Sequence, residues 1–178
     1  MSTSRELLAG VLQRLASDTR PAPSAELVGS GYPSLDRALA GGLARGELTV
    51  LGGDAGAGKT ALSLGIAIRA AVSGVPVLIL THETTTEQCW ERVVSAESGV
   101  THIAMRTGVL PHGAADSIRS AADVLRRLPI TIERAPYSPA ELSSRLDDGD
   151  NLPPLVIVDG LMGFDQPPRP MVEAQAQT

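Results

Sequence analysis

The sequence predicts an α/β fold, a mostly parallel sheet buried on both faces between two layers of helices. Three observations predict it. Short runs of Val, Ile and Leu at Val75 to Thr81 and Leu155 to Asp159 are apolar on both sides, as the strands of a buried parallel sheet are, and Ile130 to Arg134 opens on a shorter β-branched stretch. Stretches of helical periodicity alternate with these runs, the pattern of a three-layer core rather than of a sandwich or a bundle. Between an apolar run and one of those helices, Gly53-Asp54-Ala55-Gly56-Ala57-Gly58-Lys59-Thr60 fits G-x-x-x-x-G-K-[ST] at every position.

In chain order, residues 4–17 place Leu7, Leu8, Val11, Leu12 and Leu15 on one helical face, with Ser4 as N-cap, so residues 1–17 form an amphipathic first unit. Its apolar stripe either folds back on the same domain or docks on a neighbouring subunit. Residues 18–28, with Pro21 and Pro23, read as a linker. The folded domain is expected over 29–165. Within it the pattern gives a strand over Glu47 to Gly53, a helix over Thr60 to Ser73, a strand over Val75 to Thr81 and a helix over Thr86 to Ser98. A helix near Ala114 to Leu128, a strand at Ile130 to Arg134, a helix from Pro139 to about Leu146 and a strand at Leu155 to Asp159 follow. Residues 166–178 open on Gln166-Pro167-Pro168-Arg169-Pro170, carry no periodicity and are expected to be disordered.

Composition narrows the function classes. A chain of 178 residues with 43% hydrophobic residues is long enough for one sizeable core, which excludes a disordered or fibrous protein. Four aromatics, Tyr32, Trp90, Tyr137 and Phe164, supply no base-stacking platform, so the core is aliphatic. A formal net charge of −5 argues against a surface devoted to phosphate backbones; any nucleic-acid contact must be local. Cys89 is the single cysteine, which excludes a disulfide framework and a cysteine metal site and fits a reducing, cytoplasmic setting. No stretch approaches a membrane span, and the N-terminus has no signal-type apolar core.

The glycine-rich octapeptide implies a nucleoside triphosphate. Backbone N–H groups can wrap phosphates only where side chains do not block the approach, which glycine allows. Lys59 would add a point charge at the β/γ-phosphates, Thr60 would give its hydroxyl to Mg²⁺, and the helix opening there would aim its N-terminal dipole at the same anion. Asp159 ends the Leu155 to Asp159 strand and so lies at the same sheet edge, where it would hold Mg²⁺; alone, such an aspartate could equally cap a turn. Glu83 follows the Val77 to Thr81 strand and is a candidate to orient and deprotonate the water that attacks the γ-phosphate, against the plainer reading of a first-turn carboxylate facing a helix dipole. His82 alternates to the other face. His102 and His112 lack metal-ligand spacing, and Cys89 and Trp90 are read as packing residues.

Several segments together resemble the C-terminal motor domain of DnaB-type replicative DNA helicases, within the RecA-like superfamily of P-loop NTPases. They are Gly29-Ser30-Gly31-Tyr32-Pro33-Ser34-Leu35-Asp36, Gly41-Gly42-Leu43, Gly46-Glu47-Leu48, the phosphate loop, and Glu83-Thr84-Thr85-Thr86-Glu87-Gln88. Thr101-His102-Ile103-Ala104-Met105-Arg106-Thr107-Gly108 is similar to the family's Arg-Thr-Gly segment, and Leu128-Pro129-Ile130-Thr131-Ile132 with Ser138-Pro139-Ala140-Glu141-Leu142 matches its next strand and helix. The resemblance implies ATP and Mg²⁺ as cofactors, held by Lys59, Thr60 and Asp159, with Glu83 activating water. It implies a homo-oligomeric, hexameric ring and single-stranded DNA as a partner. Recombinase-like and clock-like ATPases share the opening segment and the loop. Two departures stand out: Gly160, Leu161 and Met162 replace the family's bulky residue and Gln after the aspartate, and the sequence ends 19 residues beyond Asp159. The C-terminal strands, with the DNA-binding loops and the arginine finger, are therefore expected to be missing, and turnover to be weak. A non-motor nucleotide-binding regulator or adaptor that joins a helicase-like ring is the alternative, and a fragment retained by descent is the third reading.

Overall fold

The computed structural model describes residues 27–135, 138–146 and 154–160, together with Gln13. The helix expected over 4–17, apart from the helical Gln13, lies outside the described residues, as do most of the linker and the tail over 166–178.

Two short strands, β1 (Leu27–Val28) and β2 (Leu43–Ala44), pair antiparallel and enclose α1 (Pro33–Ala38). Pro33 starts α1 because its fixed φ suits the first helical turn and its missing N–H would have had no helical partner. Val28 is buried in the main core.

The main sheet contains β3 (Val77–Thr81), β4 (Ile130–Arg134) and β5 (Leu155–Asp159) in the order β4-β3-β5, all parallel. All five residues of the central β3 are buried, which is why its sequence shows no polar alternation. Side-chain alternation divides the sheet into two faces. Val77 and Ile79, with Ile130, Ile132, Leu155 and Ile157, meet the main cluster formed by α2 (Lys59–Val72), α3 (Thr86–Ser98) and α5 (Ala114–Leu125). Leu78 and Leu80, with Val156 and Val158, pack against Leu142 of α6 (Pro139–Leu146). Helices thus cover both faces, and the expected three-layer α/β arrangement is present. The buried face of α2 carries Ala67, Ala70 and Ala71 beside Leu64 and Ile68, and small residues let the helix approach the sheet closely.

The strand expected over Glu47 to Gly53 is not formed. Residues 47–54 belong to no ladder, and Leu48 is 89% exposed with Val50 at 68%. Their composition suits an extended chain, but a strand exists only where a neighbour takes its N–H and C=O groups. Two helices were not expected: α1, and α4 (His102–Thr107), which occupies most of the Arg-Thr-Gly segment. Thr101 caps α4 by accepting from the Ala104 N–H at 3.2 Å. α5 ends at Leu125 rather than near Leu128. No helix among the described residues is long and apolar enough to cross a membrane.

Candidate functional site

The phosphate loop lies exposed from Gly53 to Gly58 and runs directly into α2. Gly56 and Gly58 have φ of 78° and 90°, the left-handed region that an L side chain resists, so the loop needs glycine at both positions. Gly58 is the N-cap of α2 and offers no side chain to the first helical N–H groups. A 14-residue helix therefore begins with its positive dipole end directed into the loop and its first donors without a side-chain cap. That arrangement attracts an anion.

Lys59 sits on the first turn of α2, and its ammonium donates to the carbonyls of Gly53 at 2.7 Å and Asp54 at 2.8 Å. These bonds close the loop on itself and use two of the three ammonium donors. The next residue, Thr60, makes the contact that ties the loop to the sheet. Its Oγ1 donates to the Asp159 carboxylate, 3.0 Å from Oδ1 and 3.1 Å from Oδ2, across 99 positions of sequence. Both residues are half-buried. A hydroxyl beside a pair of carboxylate oxygens offers the oxygen ligands that a hard cation takes, so these residues fit Mg²⁺.

Glu83 reaches the same sheet end from the other side. The β3-β5 ladder extends one residue past Thr81, with His82 N–H donating to the Asp159 carbonyl at 3.0 Å. Beyond it the exposed Glu83 stem lies over Gly160: a Cβ built there would stand 2.8 Å from Glu83 Cγ and 3.2 Å from His82 Cβ. Gly160 also has φ of 95°. At this departure from the family's bulky residue, a side chain would have to displace the Glu83 stem from where it lies and would also adopt a strained φ. The structure gathers Lys59, Thr60, Asp159 and Glu83 at the C-terminal end of the parallel sheet.

Sequence reasoning missed the residues beneath Glu83. Thr81, 1% exposed, bonds through its hydroxyl to Thr84, and the Thr84 hydroxyl lies 3.0 Å from Cys89 Sγ. The signal available was three consecutive threonines soon after a buried strand. Thr85 and Gln88 form a reciprocal capping box at the start of α3. In that first turn the Glu87 carboxyl is held below its usual 4.5, first by its own backbone N–H and then by the Thr85 and Thr86 hydroxyls. His102 meets Glu91 at 3.0 Å and joins α4 to α3. A shallow hollow of about 520 Å³, lined by Glu97, Ser98, Asp116, Ser117 and Ser120 among others, contains none of the predicted site residues.

Helices on both faces of a parallel sheet, with a glycine-rich loop opening a helix at the strands' C-terminal end, define a RecA-like P-loop domain. The model of the DnaB-like helicase C terminal domain family matches residues 28–172, and the chain belongs to that family. It is 32% identical over 122 residues to the replicative DNA helicase DnaB of Treponema pallidum, covering 67% of this chain and 28% of that protein. It is 37% identical over 97 residues to DnaB of a Synechocystis species, covering 54% of this chain and 11% of the relative. The DNA repair protein RadA of Mycolicibacterium smegmatis shares 38% over 103 residues, 53% of this chain and 22% of that one. The chain therefore spans between about a tenth and under a third of these relatives. In fold it is similar to a solved ATPase domain, with a TM-score of 0.73 at 17% identity over 96% of this chain and 61% of the other. A DnaB-like replicative helicase solved in a study of its interactions with primase gives 0.68 at 17% identity, over 89% and 38%.

Proposed function

We propose that the chain is the ATP-binding and ATP-hydrolysing RecA-like domain of a DnaB-type replicative DNA helicase. The observation that carries this reading is the bond from Thr60 to Asp159, which joins an intact phosphate loop to the C-terminal end of β5. The loop residues Gly53, Asp54, Ala55, Gly56, Ala57 and Gly58 cradle the phosphates with backbone N–H groups. Lys59 would neutralise charge on the β- and γ-phosphates, and Thr60 with Asp159 would hold Mg²⁺, which when bound would supply compensation for negative charge on the phosphates. Glu83 accepts the proton of the attacking water. The setting is cytoplasmic, as a homo-oligomeric, hexameric ring with ATP at subunit interfaces and single-stranded DNA as the substrate of movement.

The test is Mg²⁺-dependent ATP hydrolysis by the 178-residue chain, with and without single-stranded DNA. Glu83→Ala is expected to lower kcat on the order of 10² to 10⁴ with ATP affinity kept, the loss typical of a removed general base. Lys59→Ala is expected to lose ATP binding. A Lys59→Ala protein that binds ATP as the parent does sinks the reading. Tight ATP binding without turnover in the parent leaves a non-motor nucleotide-binding regulator that joins a helicase-like ring. A second reading, an ATPase of the RadA kind, rests on the 38% identity to that protein. Strand separation by the assembled chain decides for the helicase.

A further inference from the structure

Glu83 occupies an awkward place for a general base. It is exposed, on the turn between the end of β3 and the N-cap of α3, where neither a ladder nor a helix fixes its own backbone. A base must be held to within about half an ångström of its working position to be effective. We propose that Thr81 is the positioning residue for Glu83, acting through a hydrogen-bonded brace that also includes Thr84 and Cys89. This inference rests on the role given to Glu83 above.

The bonding supports the assignment atom by atom. Thr81 Oγ1 lies 3.0 Å from the Thr84 carbonyl, 3.1 Å from Thr84 Oγ1 and 3.4 Å from Thr84 N. A hydroxyl has one donor and two lone pairs. One arrangement satisfies all three contacts: Thr81 donates to the Thr84 carbonyl and accepts from the Thr84 hydroxyl and the Thr84 N–H. Thr84 Oγ1, having given its proton to Thr81, is left to accept the weak S–H donor of Cys89 at 3.0 Å. Every polar atom of Thr84 thus ends in the brace, and the turn carrying Glu83 is tied across its base.

The two ends of the brace are themselves buried. Thr81 and Cys89 are each 1% exposed, Thr81 within the sheet and Cys89 in the first turn of α3. The Thr81 carbonyl accepts from Ala135 N–H at 2.9 Å, which fixes the strand end on the β4 side. Gly160 bounds the glutamate from the β5 side, where a Cβ would overlap Glu83 Cγ. The brace sets the height of the turn and the glycine sets the space above it.

The experiment compares kcat and KM for MgATP in the parent chain, Thr81→Val, Thr81→Ser and Glu83→Ala. Thr81→Val keeps the branched shape and removes the oxygen. Its kcat is expected to fall on the order of 10-fold to 100-fold, the cost of displacing a catalytic group by about an ångström, with KM held within about twofold. Thr81→Ser is expected to restore most of the rate. In the Glu83→Ala background, Thr81→Val is expected to add no further loss, because a residue acting only through Glu83 has nothing left to position. A full additional loss there, or a Thr81→Val rate within about twofold of the parent, overturns the inference. If Thr81→Val fails to fold, Thr84→Val replaces it, removing only the hydroxyl between Thr81 and Cys89; a rate equal to the parent's overturns the inference in the same way. Absence of hydrolysis in the parent overturns the assignment of Glu83 itself, whereas parental hydrolysis that survives Thr81→Val overturns this inference alone.

Discussion

Two segments approach the same site, and they differ in everything except their sequence character. Val77-Leu78-Ile79-Leu80-Thr81 and Leu48-Thr49-Val50-Leu51 are both short aliphatic runs that end near a candidate site residue. The first is buried along its length, paired on both sides, and followed by a turn whose hydroxyls are bonded to one another. The second joins no ladder, and its largest side chains face solvent. Apolar character therefore marks a chain as able to be a strand. Partners on both edges make it one. The phosphate loop is held to the sheet from its far side, through Thr60 and Asp159, rather than through the segment that leads into it.

Stability measurements test that contrast most directly. Ile79→Ala, at a position 1% exposed, is expected to destabilise the fold by about 2 to 5 kcal/mol, the usual cost of a cavity in a packed core. Leu48→Ala, at 89% exposure, is expected to stay within about 0.5 kcal/mol. Urea denaturation of the two variants reads both numbers. Equal losses would mean that Leu48 is packed in solution and that the two runs are alike after all.

The next effect concerns the tie between loop and sheet. Thr60→Val removes the hydroxyl that reaches Asp159 while keeping the branched shape. Affinity for MgATP is expected to fall on the order of tenfold, equivalent to about 1.4 kcal/mol, and the thermal midpoint is expected to move little because the contact is only half-buried. Calorimetric titration with and without Mg²⁺ separates the metal's share. An unchanged Mg²⁺ dependence would remove Thr60 from the metal site.

Much of this architecture is legible in the sequence alone. The runs at Ile130 to Arg134 and Leu155 to Asp159 and the helices at Thr86 to Ser98 and Pro139 to Leu146 lie where the local pattern of apolar residues places them. The phosphate loop is legible for a related reason: its glycines answer to backbone geometry at fixed spacing. What escapes is non-local. The missing ladder at residues 47–53 depends on a neighbouring edge. The space above Gly160 and the brace under Glu83 depend on which side chains meet after folding. Gly160 stands in the sequence as an unexplained departure until the side chain of Glu83 is seen to lie over it.

Smaller effects are expected where the ordered run hands over to α3. Thr85 caps α3 by accepting from the Gln88 N–H at 3.2 Å, and the Gln88 side chain accepts in return from the Thr85 N–H at 3.3 Å. Thr85→Ala is expected to cost about 1 kcal/mol, the typical value of a lost N-cap. Hydrogen exchange is expected to rise first in the opening turn of α3, next to the Glu83 turn. Exchange that rises equally at residues 47–53 would show that the two approaches are coupled rather than independent.

The smallest expected effect lies in the same first turn, at Glu87. Its carboxyl is fully exposed, and its ionised form is favoured by its own backbone N–H and by the hydroxyls of Thr85 and Thr86. Because folding lowers this group below its usual 4.5, the unfolded chain binds the proton more readily than the folded one. The stabilisation is therefore complete above about pH 4.5 and fades as the pH falls through the depressed value. Glu87→Gln is expected to lower the thermal midpoint slightly near neutral pH and to match the parent once the pH is acidic enough to protonate Glu87 in the native state. Taking the difference between the two proteins cancels the other carboxylates, which titrate in both. A gap between parent and variant that persists unchanged into acid would mean that the Glu87 charge does not hold this turn, and that the order beside Glu83 comes from the neutral hydroxyl bonds of Thr81, Thr84 and Thr85 alone.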